Sequence, residues 1–299
     1  MLLWFKNYLT NRSCVVKISN ILSENKPLKQ GVPQGSLLGP FLFLLYVNKI
    51  FKAGNICKMY MYADDLVIIS ANKSMDSCQI ALQKDLNAVN KWSHDNGLVI
   101  NIKKTKILYV ANPYLREADN INIFMHSNEC LHKHLEENCL LCSRLEVVDS
   151  YEYLGVIFDK NFKFDLHCNK IINVLRYAVK TMYNLKPKLN EKTLKDIYFA
   201  FSHSVIKYGI LCWGFSNSSS LTKLKKLQLK ILKVMKSGNK LKSDNHYFRH
   251  FNVLPIEQLA KYNVLLEHFD RIKMIPRVQH SHNTRRILTD PAIIPKIIN

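Results

Sequence analysis

With 299 residues, 47% of them hydrophobic and 10% aromatic, the chain can bury a sizeable core, and a wholly disordered protein is excluded. Lys and Arg number 43 against 23 Asp and Glu, a formal charge of +20 with a pI near 9.6. That surplus selects a polyanionic partner: nucleic acid, whose counterions clustered Lys and Arg release, with an anionic membrane surface as the rival.

In chain order, alternating residues over 14–18 read as strand, turn and strand, and a helix is predicted over 37–51. Its apolar run 41–47, the longest in the chain, falls short of the roughly 18 residues a membrane span needs and reads as a buried helix. A hairpin follows, with arms 59–62 and 66–70. Next comes an amphipathic helix over 75–94, with Cys78, Leu82, Leu86, Val89 and Trp92 at helical spacing and Gly97 as its terminator. Strands are predicted over 106–110 and 151–158, where Gly155 marks a close backbone approach.

Beyond Asp165 the pattern becomes helical, over 166–185, 191–202, 221–235 and 256–271. This switch predicts an α+β fold of two units, with a loosely structured tail after Pro276. The eight cysteines show no disulfide framework, and the start Met-Leu-Leu-Trp-Phe-Lys lacks a signal pattern. Both indicate a reducing, intracellular setting in nucleus or cytoplasm.

The sharpest chemical signal is Tyr62-Ala63-Asp64-Asp65 between the hairpin arms. Adjacent carboxylates at a hairpin tip repel each other unless a cation neutralises them, and Mg²⁺ prefers carboxylate oxygens with substrate phosphates. Two ions about 3.5–4 Å apart stabilise the attacking and leaving oxygens of in-line phosphoryl displacement. The bland alternative is Asp-Asp as ordinary turn chemistry. Upstream, Gly31-Val32-Pro33-Gln34-Gly35-Ser36-Leu37-Leu38-Gly39-Pro40 opens the apolar helix. Its glycines permit close backbone approach, and the helix start offers N–H donors.

Together these two segments resemble consecutive palm motifs of reverse transcriptases encoded by non-LTR retrotransposons. Further matches continue in order: Leu98-Val99-Ile100-Asn101-Ile102-Lys103-Lys104-Thr105 resembles the next palm motif, Tyr151-Glu152-Tyr153-Leu154-Gly155-Val156 the primer-grip hairpin, and 202–214 with the 221–235 helix the thumb. The resemblance implies a partial palm over 1–112, a connection and primer-grip hairpin over 113–164, and a helical thumb with the C-terminal region over 165–299. It implies Asp64 as principal metal ligand and Asp65 as accessory one, two Mg²⁺ ions in the complete enzyme, and Tyr62 supporting the primer terminus. Gln34 and Gly35 would border nucleotide and template, Leu154 and Gly155 would grip the primer, and Lys104 would be the general acid for departing pyrophosphate, with Lys103 and Lys106 as competitors. RNA template, DNA primer and deoxynucleoside triphosphates are the implied partners.

The family's catalytic centre also needs a third carboxylate upstream of Gly31, yet from Met1 to Ala63 the only acidic residue is Glu24. Lys49 stands where the family commonly has an acid. The expectation is a truncated polymerase, weak in metal and inactive alone, because positioning supplies much of the rate in phosphoryl transfer. The alternative is a non-catalytic RNA- or DNA-binding module.

Two secondary signals accompany these. From Lys223 to Lys242 the chain has eight lysines and no acid. On a helix, Leu224, Leu227, Ile231 and Val234 form one stripe and Lys223, Lys226, Lys230 and Lys233 another: a basic face for a duplex backbone, a solvated surface, or a membrane-surface helix. His126, Cys130, His132, His134, Cys139 and Cys142 crowd one polar stretch. The readings there are a zinc site and incidental reduced thiols.

Overall fold

The computed structural model describes residues 2–33, 35–110, 121–127, 130 and 142–274. Gln34, His132, His134, Cys139 and the tail beyond 274 lie outside these. Helices and short two-stranded sheets make an α+β chain that divides into two compact units, Met1–Tyr151 and Glu152–Asn299.

The first unit opens with helix α1 (Leu2–Leu9), followed by β1 (Arg12–Cys14) paired antiparallel with β4 (Lys26–Leu28). Between them β2 (Lys17–Ile18) and β3 (Ile21–Leu22) form a tight hairpin, with Ser19 at φ 54° in its turn. Pro27 pairs with Ser13 in this two-stranded ladder, where its missing N–H is tolerated because each strand is an edge.

Helix α2 (Leu38–Val47) forms as predicted, and the chain then tightens into a 3₁₀ segment, Asn48–Lys52. The reading of 41–47 as a buried helix is corrected: Phe41, Leu44, Leu45 and Tyr46 are each about half exposed, and within the helix only Gly39 and Val47 are buried. The helix is apolar all round, so periodicity could not say which stripe faces the core.

Strands β5 (Lys58–Tyr62) and β6 (Asp65–Ile69) pair antiparallel, and α3 (Met75–Asp95) follows. Gly97, at φ 67°, ends α3 as expected: its N–H reaches His94 O, and Leu98 N–H reaches Ser93 O at 2.8 Å. Strand β7 (Lys106–Leu108) pairs parallel with β10 (Glu146–Val148), and β8 (Phe124–Met125) antiparallel with β9 (Ser143–Arg144). Leu86 of α3 joins Ile107, Ile121, Ile123, Met125 and Leu145 in a small core.

Polar side chains of α3 replace a missing strand partner. Gln79 accepts from Asn122 N–H, Gln83 both accepts from and donates to the Phe124 backbone at 2.8 Å, and Asn90 donates to His126 O at 2.7 Å. These side chains lie four and seven residues apart on α3, one helix face, and meet alternate residues of the extended segment.

Read from periodicity as a single strand and from the resemblance as a hairpin, 151–158 is a hairpin of β11 (Ser150–Tyr153) and β12 (Val156–Asp159). Leu154 and Gly155 turn it, both at positive φ (47° and 78°), as a primed two-residue turn requires.

The second unit is helical. Asp159 accepts backbone N–H groups of Asn161, Lys163 and Phe164 and so shapes the approach to α4 (Asp165–Leu185). Then come α5 (Glu191–Ile197), a π-helical turn over Tyr198–His203, α6 (Ser204–Lys207), α7 (Ile210–Trp213), α8 (Ser218–Met235), α9 (Asp244–Phe251) and α10 (Ile256–Met274).

Helices α4 and α8 pack along each other, and Ser220 Oγ donates to Asp165 at 2.9 Å near their N-terminal ends. Leu175, Leu194, Tyr198, Ile206, Trp213, Leu224 and Ile231 are fully buried between these helices. Burial pushes the Tyr198 phenol up to about 12, and Gln228, itself buried, donates to its oxygen at 3.0 Å. Helix α9 was not anticipated: eight residues are too few for a clear period, though Tyr247, Phe248 and Phe251 make it a core element.

Candidate functional site

The aspartate hairpin is set by register. Tyr62 pairs with Asp65, so the connection is two residues, Ala63 and Asp64, the shortest common hairpin loop. Ala63 takes φ 53°, a left-handed conformation costing a non-glycine residue about 1–2 kcal/mol. Tyr62, Ala63, Asp64 and Asp65 are all exposed, while Leu66, Val67 and Ile68 are half-buried and root β6. Both carboxylates therefore stand free of the core, open to a hard cation.

What holds the base of this hairpin is a residue that sequence reasoning missed. Asp85 of α3 is 2% exposed and accepts the backbone N–H groups of Asn55, Ile56 and Cys57 at 3.2, 3.1 and 2.6 Å, immediately before β5. A carboxylate accepting three such bonds is satisfied without a counter-ion. Gly54 leaves room for it, since a Cβ there would lie 2.8 Å from Asp85 Cγ and 2.4 Å from Met59 Cε. The available signal was its position, three residues after Leu82 and four before Val89, an acid inside the apolar stripe of α3 rather than opposite it.

The glycine segment before α2 is locally braced. Gly31 and Gly35 adopt φ of 82° and 77°, Ser36 Oγ donates to Pro33 O at 2.8 Å and accepts from Gly39 N–H. The Arg12 guanidinium donates to Gly31 O and, at 3.3 Å, to Gln30 O. Gly35 is exposed with open space around its α-carbon.

Lys104 lies in a turn where its N–H bonds Asn101 Oδ1 and its carbonyl accepts from Tyr151 at 3.3 Å, leaving the ammonium exposed. Of its competitors, Lys106 is committed to an ion pair with Glu146, its register partner.

In the second unit, the Leu154-Gly155 turn is buttressed by Tyr208, whose hydroxyl donates to Leu154 O at 2.6 Å. A Cβ on Gly155 would meet the Tyr208 ring at 3.4 Å, an ordinary contact, so the glycine is called for by its φ of 78° rather than by a close approach. Beside this turn His167 and Lys170 line a cavity with Tyr208 and Val205. Ile157 N–H donates to His167 Nδ1 at 3.3 Å. Burial pushes the imidazole below its ordinary range, with Lys170 adding to the effect and Glu152 opposing it.

Helix α8 separates as its pattern indicated. Leu224, Ile231 and Val234 are buried, while Lys223, Lys226, Lys230 and Lys233 are exposed. Lys226, Lys230 and Lys233 line a groove with Leu229 and Asp244. Lys233 is partly committed, 2.8 Å from Asp244 and over the Tyr247 ring. Among the described residues no helix is long and apolar enough to cross a membrane.

A family model described as reverse transcriptase (RNA-dependent DNA polymerase) matches residues 1–158, a span that holds both the glycine segment and the aspartate hairpin. The chain belongs to that family. Among curated proteins it is 26% identical over 238 residues to the RNA-directed DNA polymerase from mobile element jockey of Drosophila melanogaster, covering 76% of this chain and 24% of that protein. It is 24% identical over 298 residues to the probable RNA-directed DNA polymerase from transposon BS of the same species, covering 95% and 30%. The probable RNA-directed DNA polymerase from transposon X-element, also of that species, is 23% identical over 237 residues, covering 77% and 24%. The chain thus spans less than a third of the length of these relatives.

Proposed function

We propose that this chain is the portion of a non-LTR retrotransposon's RNA-directed DNA polymerase that supplies two metal-ligating carboxylates and holds the template–primer. The single observation that carries the reading is the exposed Asp64-Asp65 pair, Asp64 in a two-residue turn and Asp65 at the start of the strand that follows it. The first unit acts as palm and the helical second unit as thumb. Asp64 is the principal Mg²⁺ ligand and Asp65 the accessory one. When bound, the metal ions neutralise phosphate charge and stabilise the attacking and leaving oxygens.

Tyr62, exposed beside the pair, supports the primer terminus, and Leu154-Gly155 grips the primer strand. Gln34 and Gly35 border nucleotide and template. Lys104, its ammonium unpaired in the described contacts, is the candidate proton donor to pyrophosphate. Lys223, Lys226 and Lys230 track the backbone of the RNA–DNA duplex without reading its sequence.

Two carboxylates hold fewer coordination positions than three, so catalysis is assigned to a polypeptide that also supplies an upstream aspartate. The test is Mg²⁺-dependent primer extension on an RNA template, by this chain alone and by the chain fused behind a palm strand bearing an aspartate. Extension by the fusion that Asp64→Asn abolishes supports the reading. The second reading, a nucleic-acid-binding module without chemistry, is favoured by the +20 charge and predicts tight duplex binding with no extension in either form.

A further inference from the structure

Outside the aspartate hairpin, the described residues contain a donor set of different chemistry. His126 Nδ1 lies 3.1 Å from Cys142 Sγ and 3.5 Å from Cys130 Sγ, and the three donor atoms all fall within 4.8 Å of one another. Both cysteines are thiols.

The backbone explains why they converge. Phe124 pairs with Arg144 and Met125 with Ser143, so the same register continued by one residue sets His126 opposite Cys142, where the two arms leave the ladder. Cys130, four residues on, returns to the same point and is 3% exposed, its N–H reaching Ser127 Oγ at 3.3 Å. The arm bearing His126 is fastened to α3 through Gln83 at Phe124 and Asn90 at His126 O, while Arg144 on the other arm donates to Ile121 O at 2.8 Å. The cluster is therefore mounted on the small core of the first unit.

We infer that His126, Cys130 and Cys142 form a zinc-binding site that clamps the loop end of the β8–β9 hairpin, where the two arms leave the ladder. Tetrahedral zinc with bonds of about 2.3 Å to sulfur and 2.0–2.1 Å to nitrogen sets its ligands roughly 3.5–3.8 Å apart. The two nitrogen–sulfur spacings, 3.1 and 3.5 Å, need only a few tenths of an ångström of adjustment, and the sulfur–sulfur spacing, within 4.8 Å, no more than about one. One imidazole nitrogen and two thiolates form a borderline-soft set, suited to Zn²⁺ and poorly suited to Mg²⁺ or Ca²⁺. Binding replaces the two thiol protons, which leave to solvent, and no redox change occurs. Three protein donors leave the fourth tetrahedral position to water or a further ligand. The site's role is structural, tying the two arms together where the ladder ends, beyond the core formed by Ile123, Met125 and Leu145.

The site is independent of the polymerase reading, because its donors differ from the aspartates and its readout is metal content. The 299-residue chain is purified, its zinc measured, and apoprotein titrated with Co²⁺. About one zinc per chain is expected, together with a thiolate-to-cobalt charge-transfer band and the strong visible absorption of tetrahedral Co²⁺. Cys142→Ser and His126→Asn should each weaken Zn²⁺ affinity by more than about 100-fold, exceeding the effect of outer-sphere changes, whereas Cys14→Ser and Asp64→Asn should keep full stoichiometry. Less than about 0.1 zinc per chain with no thiolate–cobalt band in the unaltered protein overturns the site. So does unchanged zinc content in a folded Cys130→Ser/Cys142→Ser variant.

Discussion

The two units solve the same stability problem differently. In the helical unit, 26 mutually packed residues are buried, among them Trp213, Tyr198 and Phe251, and helices α4 and α8 form a continuous spine. In the first unit the described core cluster holds six, its sheets are two-stranded, and Leu2, Ile18, Ile21 and Leu37 are largely exposed. Polar clamps stand in for apolar burial there: Asp85 under the hairpin, Gln79, Gln83 and Asn90 along β8. The paired aspartates sit on the lightly packed unit and the exposed lysine face on the densely packed one. Packing density and functional groups are thus assigned separately, and damage to each should be separable.

The sharpest way to break that contrast is at the aspartates. Asp64→Asn should lower primer extension by the complemented polymerase more than about 100-fold while leaving the thermal melt of both units in place. A melt that shifts with it would make the residue structural.

Next in size, Trp213→Ala should cost about 3–5 kcal/mol, because the ring is fully buried and its cavity cannot collapse between helices. Urea denaturation monitored by helical circular dichroism measures it, and a loss below 1 kcal/mol would deny the helical unit its rigid core. Asp85→Ala should cost about 2–3 kcal/mol by stranding the N–H groups of Asn55, Ile56 and Cys57. Hydrogen exchange should show those amides losing protection while the Trp213 region keeps its own. Protection lost everywhere would mean that the two units unfold as one.

A milder change tests the basic face. Replacing Lys223, Lys226 and Lys230 with Gln should reduce the magnitude of the log–log salt slope for RNA–DNA duplex binding by about 2–3. An unaltered slope would move the duplex elsewhere.

Smallest is a pH effect confined to the helical unit. Burial pushes the imidazoles of His167 and His203 below their ordinary value, with Lys170 and Lys207 respectively adding to it. The unfolded chain then binds more protons below the ordinary imidazole value of 6.5, so stability falls as pH drops through that range toward the folded values. For Glu191, burial raises the carboxyl, but the Ser237 N–H, His250 and Lys236 outweigh it and hold the group below its ordinary 4.5. Its contribution is present above that value and lost as pH falls through the lower, folded one. Thermal melts at several pH values should show this acid loss in the helical signal, and a flat profile would contradict it.

Much of this was legible from residues in order. The aspartate turn, the termination of α3 at Gly97, and the split of α8 into apolar and lysine stripes all follow from periods of two or 3.6 residues and from turn chemistry. Each is decided within one element, so local pattern suffices. The solvent-facing side of α2 and helix α9 were not legible, since a uniformly apolar run and an eight-residue helix carry no period to read, and the hairpin at Leu154 was legible from the resemblance but not from periodicity.

By itself, then, the sequence determined the paired carboxylates, the basic stripe and the family. Only tertiary structure decided which backbone groups Asp85 anchors, those of Asn55, Ile56 and Cys57. It also decided that His126, Cys130 and Cys142 meet, and that Tyr208 backs the Gly155 turn. Those three depend on strand register and on contacts between residues distant in the chain. Such contacts are selected by backbone hydrogen-bond satisfaction and by the free energy of the whole fold, which no local window of residues contains.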